Sequence, residues 1–233
     1  MEANSSYHSL QWQLEKRFAH GFTIQTSYTF SKNIDDLSTA NPFNRAISRG
    51  LTGFDVPHNF KFSNLWEIPH LNVGKAANKL INGWQLNSIL VRQSGFPFTV
   101  SSGVDNSFSG VGSDRADYLG GNASLSDSRS LDDKLLQWFD TSRFVANAPG
   151  TFGNSGRGIL RGPGYLNMDL GVLKTTGVTE RLRLQFRAEF FNALNHPNFR
   201  LPTSNISSSQ KGRITAVVDE NQRIIQFGLK LLF

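Results

Sequence analysis

The last residues of the chain, Arg223 to Phe233, constrain it most. Counting back from the terminal aromatic, Phe233, Leu231, Leu229, Phe227 and Ile225 are apolar. Lys230, Gly228 and Gln226 between them are polar or small, and Leu232 and Ile224 relax the rule near the ends. Apolar residues at a period of two make a β-strand with one greasy and one wetter face. The run fits the roughly 9–11 residues that a tilted strand needs to cross a bilayer. It also stops on an aromatic, where a soluble domain more often frays into polar residues. Alone, the same strand fits the closing strand of a soluble β-sandwich.

The pattern recurs along the chain. Leu10, Trp12, Leu14 and Phe18 alternate with Ser9, Gln11, Gln13, Glu15 and Arg17; Phe22, Ile24, Tyr28 and Phe30 alternate with Thr23, Gln25, Ser27 and Thr29. Only Ala19, His20 and Gly21 separate these runs, which predicts a three-residue hairpin loop. Further strands are predicted over 59–68, 84–100, 166–174, 181–190 and the terminal stretch, with a less regular Ile214–Val218 before it. The strand from Trp84 is the least clean, because Ile89 and Val91 lie on its polar side and Gly95 and Pro97 interrupt the ladder. Between the strands, short and long connections alternate: short at 19–21, long at 32–57, medium at 70–83, very long at 101–164, short at 176–180, long at 192–222. Leu131, Leu135, Trp138 and Phe139 fall at helical spacing inside the longest loop.

Composition narrows the class. The mean hydropathy is −0.32 and no run approaches the ~18 apolar residues of a spanning helix, which excludes a helical membrane protein. A barrel is compatible, because its strands spend only alternate residues on lipid. The net charge of +6 is scattered rather than gathered on one helix, so it does not point to nucleic acid. With no cysteine, neither a disulfide framework nor a thiolate metal site is available.

Soluble sandwiches have no reason to sort loops by length, whereas outer-membrane barrels pair tight periplasmic turns with large extracellular loops. Phe18, Phe22, Trp66, Trp84 and Phe233 all fall at the short-turn ends, as an interfacial girdle requires. The expected fold is therefore all-β: an antiparallel transmembrane β-barrel. Seven spanning strands are odd in number, and bacterial barrels have an even number with both ends periplasmic. The chain thus reads as the C-terminal portion of a larger barrel, which also accounts for an N-terminus without the charged and apolar regions of a signal peptide.

Several segments carry a family resemblance. They are Trp84-Gln85-Leu86 with Gln93-Ser94-Gly95-Phe96-Pro97-Phe98-Thr99-Val100, and Gly150-Thr151-Phe152-Gly153-Asn154-Ser155-Gly156-Arg157 running into Leu160-Arg161-Gly162-Pro163-Gly164. The stretch from Leu184 to Phe199 and the terminal Gln226–Phe233 complete the set. Together they resemble the end of the Oar-like TonB-dependent receptors over nearly all of residues 1–233. The resemblance implies a bacterial outer-membrane barrel of about 22 strands, filled by a plug and preceded by a carboxypeptidase-regulatory-like domain. Neither of those domains is present here, so a plug and TonB are expected as partners only of the full-length parent. The terminal Phe233 resembles the signal read by the barrel-assembly machinery. The alternative is an outer-membrane adhesion or structural barrel that moves no solute.

Ligand contacts are expected in the long loops at 103–164 and 32–57, with Arg115, Tyr118, Trp138 and Phe139 as candidates. Asp169, Arg181, Arg183, Arg187 and Glu189 are expected on the lumen-facing side, with Asp169 opposite Arg187 if the intervening turn at 177–179 is tight. The Gly150–Gly164 cluster lacks the Lys-Ser/Thr of a phosphate loop and reads as a flexible loop. Asp105, Asn106, Asp114 and Asp117 are oxygen donors, but their spacing departs from a calcium loop. The histidines are dispersed, with His20 and His196 reading as turn residues. No Gly-x-Ser-x-Gly nucleophile elbow is present, so no enzyme, catalytic residue, cofactor or metal is expected.

Overall fold

The computed structural model describes residues 3–37, 41, 44–219 and 222–233. Seven long strands form one sheet: β1 (Ser5–Ala19), β2 (Phe22–Asp35), β3 (His58–Glu67), β4 (Trp84–Gln93), β5 (Tyr165–Gly177), β6 (Arg183–Phe191) and β7 (Ile224–Leu232). They pair antiparallel in chain order, with Gly50–Leu51 added beside the end of β2. The sheet is not closed on itself, and β1 and β7 lie at its two edges.

Residues paired across strands share a face, so the register gives the composition of each side. One cross-sheet row runs Trp12, Tyr28, Phe60, Arg92, Leu166. Another runs Phe22, Trp66, Leu86, Val172, Ala188, Phe227. These rows belong to the apolar face. The opposite face carries Gln25 beside Ser63, Asp169 beside Ile89, and Glu189 beside Gly171 and Gln226.

Neither face buries a core. Among the described residues, Ala188 is the only buried apolar side chain on the seven long strands; Leu10, Trp12, Leu14, Phe227 and Leu229 are at least half exposed. A contiguous apolar face of this extent is unstable in water, where a monomer tolerates patches of only ~300–600 Å². The polar pair on that face confirms the economy of the design: the Ser88 hydroxyl donates to the Asn64 carboxamide oxygen, so both spend a hydrogen bond on each other. The core lies instead in the connections, where Phe98, Val100, Ala116, Ala123, Phe139, Phe144, Leu160 and Ile206 cluster.

The predicted sorting of the connections is present in three dimensions. The turns at 20–21 and 178–182 and the segment 68–83 lie at one end; the described residues of the connections from β2 to β3, β4 to β5 and β6 to β7 lie at the other. Two local expectations need correction. Ala19 pairs with Phe22, so the first hairpin closes through His20 and Gly21 alone, with φ of 56° and 77°. Positive φ at both positions matches the strand twist, and a register shift between Lys16 and Ala19 absorbs the extra residue.

The second correction concerns the hairpin from β5 to β6. Its turn lies two residues farther along the chain than expected, centred on residue 180 rather than 178, with the Val178 and Thr179 amides both donating to the Leu182 carbonyl (2.9 and 3.1 Å) and the Leu182 amide donating to the Thr179 hydroxyl (3.1 Å). The register therefore places Arg187 opposite Leu173 rather than Asp169. Arg181 lies in the turn, exposed and off the strand. The medium connection at 70–83 carries a short helix, α1 (Lys75–Ile81). The Asn82 side chain closes that segment by bonding both the amide and the carbonyl of Leu71 (2.8 Å each).

Candidate functional site: the loop cap and the polar wall

The long connections fold into a cap over one end of the sheet. Pro97–Phe98 pairs with Leu160–Arg161, and Asp117–Tyr118 pairs with Phe144–Val145. Single bridges tie Ser101 to Arg115 and Asn205, and Phe199 to Val217, so the cap joins 94–164 to 192–223. The helix α2 (Leu131–Leu136) is capped by the Ser130 hydroxyl, which accepts from the Asp133 amide (3.1 Å). It ends earlier than the helical spacing suggested, and Trp138 and Phe139 leave it to enter the cap.

Three of the four candidate ligand residues, Tyr118, Trp138 and Phe139, pack at the core of the cap, and Arg115 is buried against backbone carbonyls. Phe139 is 1% exposed and packs on Phe98 and Phe144, with ring centroids 5.5 and 5.7 Å apart. This corrects its expected role as a ligand contact: an apolar ring packed on two other aromatics is held by burial. Tyr118 is half-buried and stacks on Phe144 (5.2 Å), and its hydroxyl donates to the Gly121 carbonyl. Trp138 is half-buried and donates from Nε1 to the Arg161 carbonyl (2.7 Å). Arg115 is buried, with Nη1 donating to the Ile47 and Ser155 carbonyls. Burial, and then the neighbouring Arg157 charge, push its guanidinium below the usual arginine range.

Two ion pairs clamp the cap to the rest of the molecule. Arg157 donates to the Asp35 carboxylate at the end of β2, and Arg161 donates to the Asp55 carboxylate. Asp55 is fully buried and also accepts from the Asn33 amide (2.6 Å). The Gly150–Gly164 segment that supplies both arginines is packed rather than loose. Ser155 is buried, and a Cβ on Gly153 would strike the Arg115 carbonyl, so the glycine permits the backbones to touch.

The oxygen donors of the first part of the cap are occupied by hydrogen bonds. Asp114 accepts from the Ser107 amide and hydroxyl (2.7 Å each) and from Asn147 (3.0 Å); Asp105 accepts from Ser107 and the Ser109 and Gly110 amides. Burial raises the Asp114 carboxyl, and the bonds from Ser107 and Asn147 outweigh it and hold it below the usual carboxylate range. Asp117 accepts from the Asn154 amide (2.9 Å).

The polar face forms a shallow concavity of about 390 Å³ across β2–β6, with Gln25, Ser63, Asn87, Asp169 and Glu189 on its wall. Asp169 is fixed by the Asn192 amide (2.9 Å) and Asn167 (3.0 Å), and Arg187 pairs with Glu189 at 2.9 Å. Arg183 shares that face, opposite Gly177 and Leu232. Sequence reasoning missed Arg157, Arg161, Asp35 and Asp55; their pairing spans connections far apart in the chain and leaves no local signal.

No curated protein and no solved structure matches the chain. A family model described as an outer membrane beta barrel domain matches residues 1–226. With an antiparallel sheet in chain order, an apolar outer face, no core beneath it and its long loops at one end, this chain belongs to the outer-membrane β-barrel family and resides in the bacterial outer membrane.

Proposed function

We propose that this chain forms part of the wall of a TonB-dependent receptor of the Oar-like kind, and that its cap takes part in binding a ligand outside the cell. The apolar face meets lipid and the polar face lines the lumen, where Asp169, Arg183, Arg187 and Glu189 line the path or meet a plug. The short-turn end and Phe233 are periplasmic, within reach of the barrel-assembly machinery. Energy from TonB acts on the plug of the full-length parent, and the residues described here supply wall and cap.

The observation that carries this reading is the ordered cap itself, with its own aromatic core and two ion-pair clamps. A long loop without regular structure is uncommon unless it is functional. Tyr118 and Trp138, half-buried against the cap core, are the aromatics assigned to stack on a ligand. The test deletes residues 120–145 from the full-length parent in its host and follows ligand-supported growth with and without TonB. Lost growth that TonB depletion reproduces supports a coupled receptor. Growth indifferent to both, from a barrel still assembled, favours the adhesion or structural alternative.

A further inference from the structure

The apolar face carries one cluster that neither lipid chains nor the cap accounts for. At the long-loop end, Arg92, Lys134, His58 and His196 surround a cleft of about 1110 Å³, floored by Tyr28 and Phe60. Arg92 occupies the same cross-sheet row as Tyr28 and Phe60, so its guanidinium leaves the sheet on the apolar side. It is exposed and forms no ion pair among the described residues; neither does Lys134, which α2 brings from the cap. Among the described residues, no carboxylate lines the cleft. The Tyr28 hydroxyl lies 2.7 Å from His58 Nδ1, a contact that orients that ring.

An arginine facing hydrocarbon costs about 2–4 kcal/mol at the midplane and about 0–1 kcal/mol near the interface. Arg92 therefore belongs at the headgroup level, where aromatic side chains such as Tyr28, on the same face, also settle. There an unpaired guanidinium and an ammonium, on an apolar floor open to the membrane, match an anion attached to acyl chains. We propose that this cleft binds a phosphate-bearing lipid headgroup of the outer leaflet, with Arg92 and Lys134 donating charge-assisted hydrogen bonds to the phosphate and Tyr28 and Phe60 lying against its chains. The assignment rests on the barrel fold and not on transport.

The full chain, purified in detergent and stripped of lipid, is titrated with diphosphorylated lipid A and with its dephosphorylated form, and adducts are counted by native mass spectrometry. Wild type is expected to retain the phosphorylated lipid and not the other. Arg92→Gln with Lys134→Gln weakens retention at least about tenfold, or about 1.4 kcal/mol; Arg92→Lys retains most of it. Lys61→Gln, on the polar face, leaves it unchanged. Heat-modifiable gel migration verifies that each variant is folded. Equal retention by the double variant, or equal binding of the dephosphorylated lipid, overturns the proposal. Full competition by inorganic phosphate at matched concentration overturns it as well, by assigning the cleft to a soluble anion.

Discussion

Ile89 and Leu90 are neighbours on β4, close in size and opposite in direction. Leu90 pairs with Phe62 and Met168 on the apolar face; Ile89 pairs with Ser63 and Asp169 on the polar one. Arginine at each position changes volume, charge and strand propensity by nearly equal amounts, so the difference isolates what each face meets. Leu90 lies one row inward from Arg92, between the interface and the midplane, which sets the cost of Leu90→Arg at roughly 2 kcal/mol. Ile89→Arg removes an exposed aliphatic side chain and places a cation directly across from the Asp169 carboxylate, for a cost of about 0–1 kcal/mol at most. The expected gap of about 1.5 kcal/mol is a little over tenfold in the folding equilibrium. It is measured by urea titration of the chain in phosphatidylcholine vesicles, followed through tryptophan fluorescence. A larger penalty at Ile89 than at Leu90 refutes the assignment of faces.

Other outcomes follow from the cap. Phe139→Ala opens a cavity beside Phe98 and Phe144 and costs the cap about 3–5 kcal/mol, read as accelerated hydrogen exchange in 97–145 with the strands unchanged. Arg157→Ala leaves Asp35 buried without its partner, a loss of about 3–5 kcal/mol, and trypsin then cleaves sooner after Arg45 and Arg49. Asp114 and Asp140 both titrate below the ordinary carboxylate value, Asp140 chiefly through its bond with Ser142. Their folded values are depressed, so the stability they contribute is present above the unfolded value near pH 4 and is lost as pH falls through the folded values. Near-UV circular dichroism of the cap aromatics is expected to be flat from pH 8 to 5 and to decline below about pH 4.

Much of the sheet was legible because each strand alternates on its own. A period of two needs only neighbouring residues, and the loop lengths reveal sidedness without any contact being known. Register was less legible. Whether Asp169 or Leu173 faces Arg187 depends on where the turn is centred, and the bond from the Leu182 amide to the Thr179 hydroxyl belongs to the later of the two positions. The cap was read for composition and not for packing. Phe139 and Trp138 look like binding aromatics in a polar loop, and only the pairing of Asp117–Tyr118 with Phe144–Val145 folds that loop over them. Arg115, too, reads as an exposed cation until Ile47 and Ser155 are seen to receive it.

The claim beneath all of this is that the apolar face of the sheet lies against hydrocarbon. Spin labels placed singly along β6, from residue 183 to 191, test it through collision with oxygen, which concentrates in lipid, and with a water-soluble nickel chelate. Labels at 184, 186, 188 and 190 are expected to favour oxygen, and those at 183, 185, 187 and 189 the nickel chelate. Uniform access to the chelate along the strand, or the same alternation with its phase reversed, would contradict it.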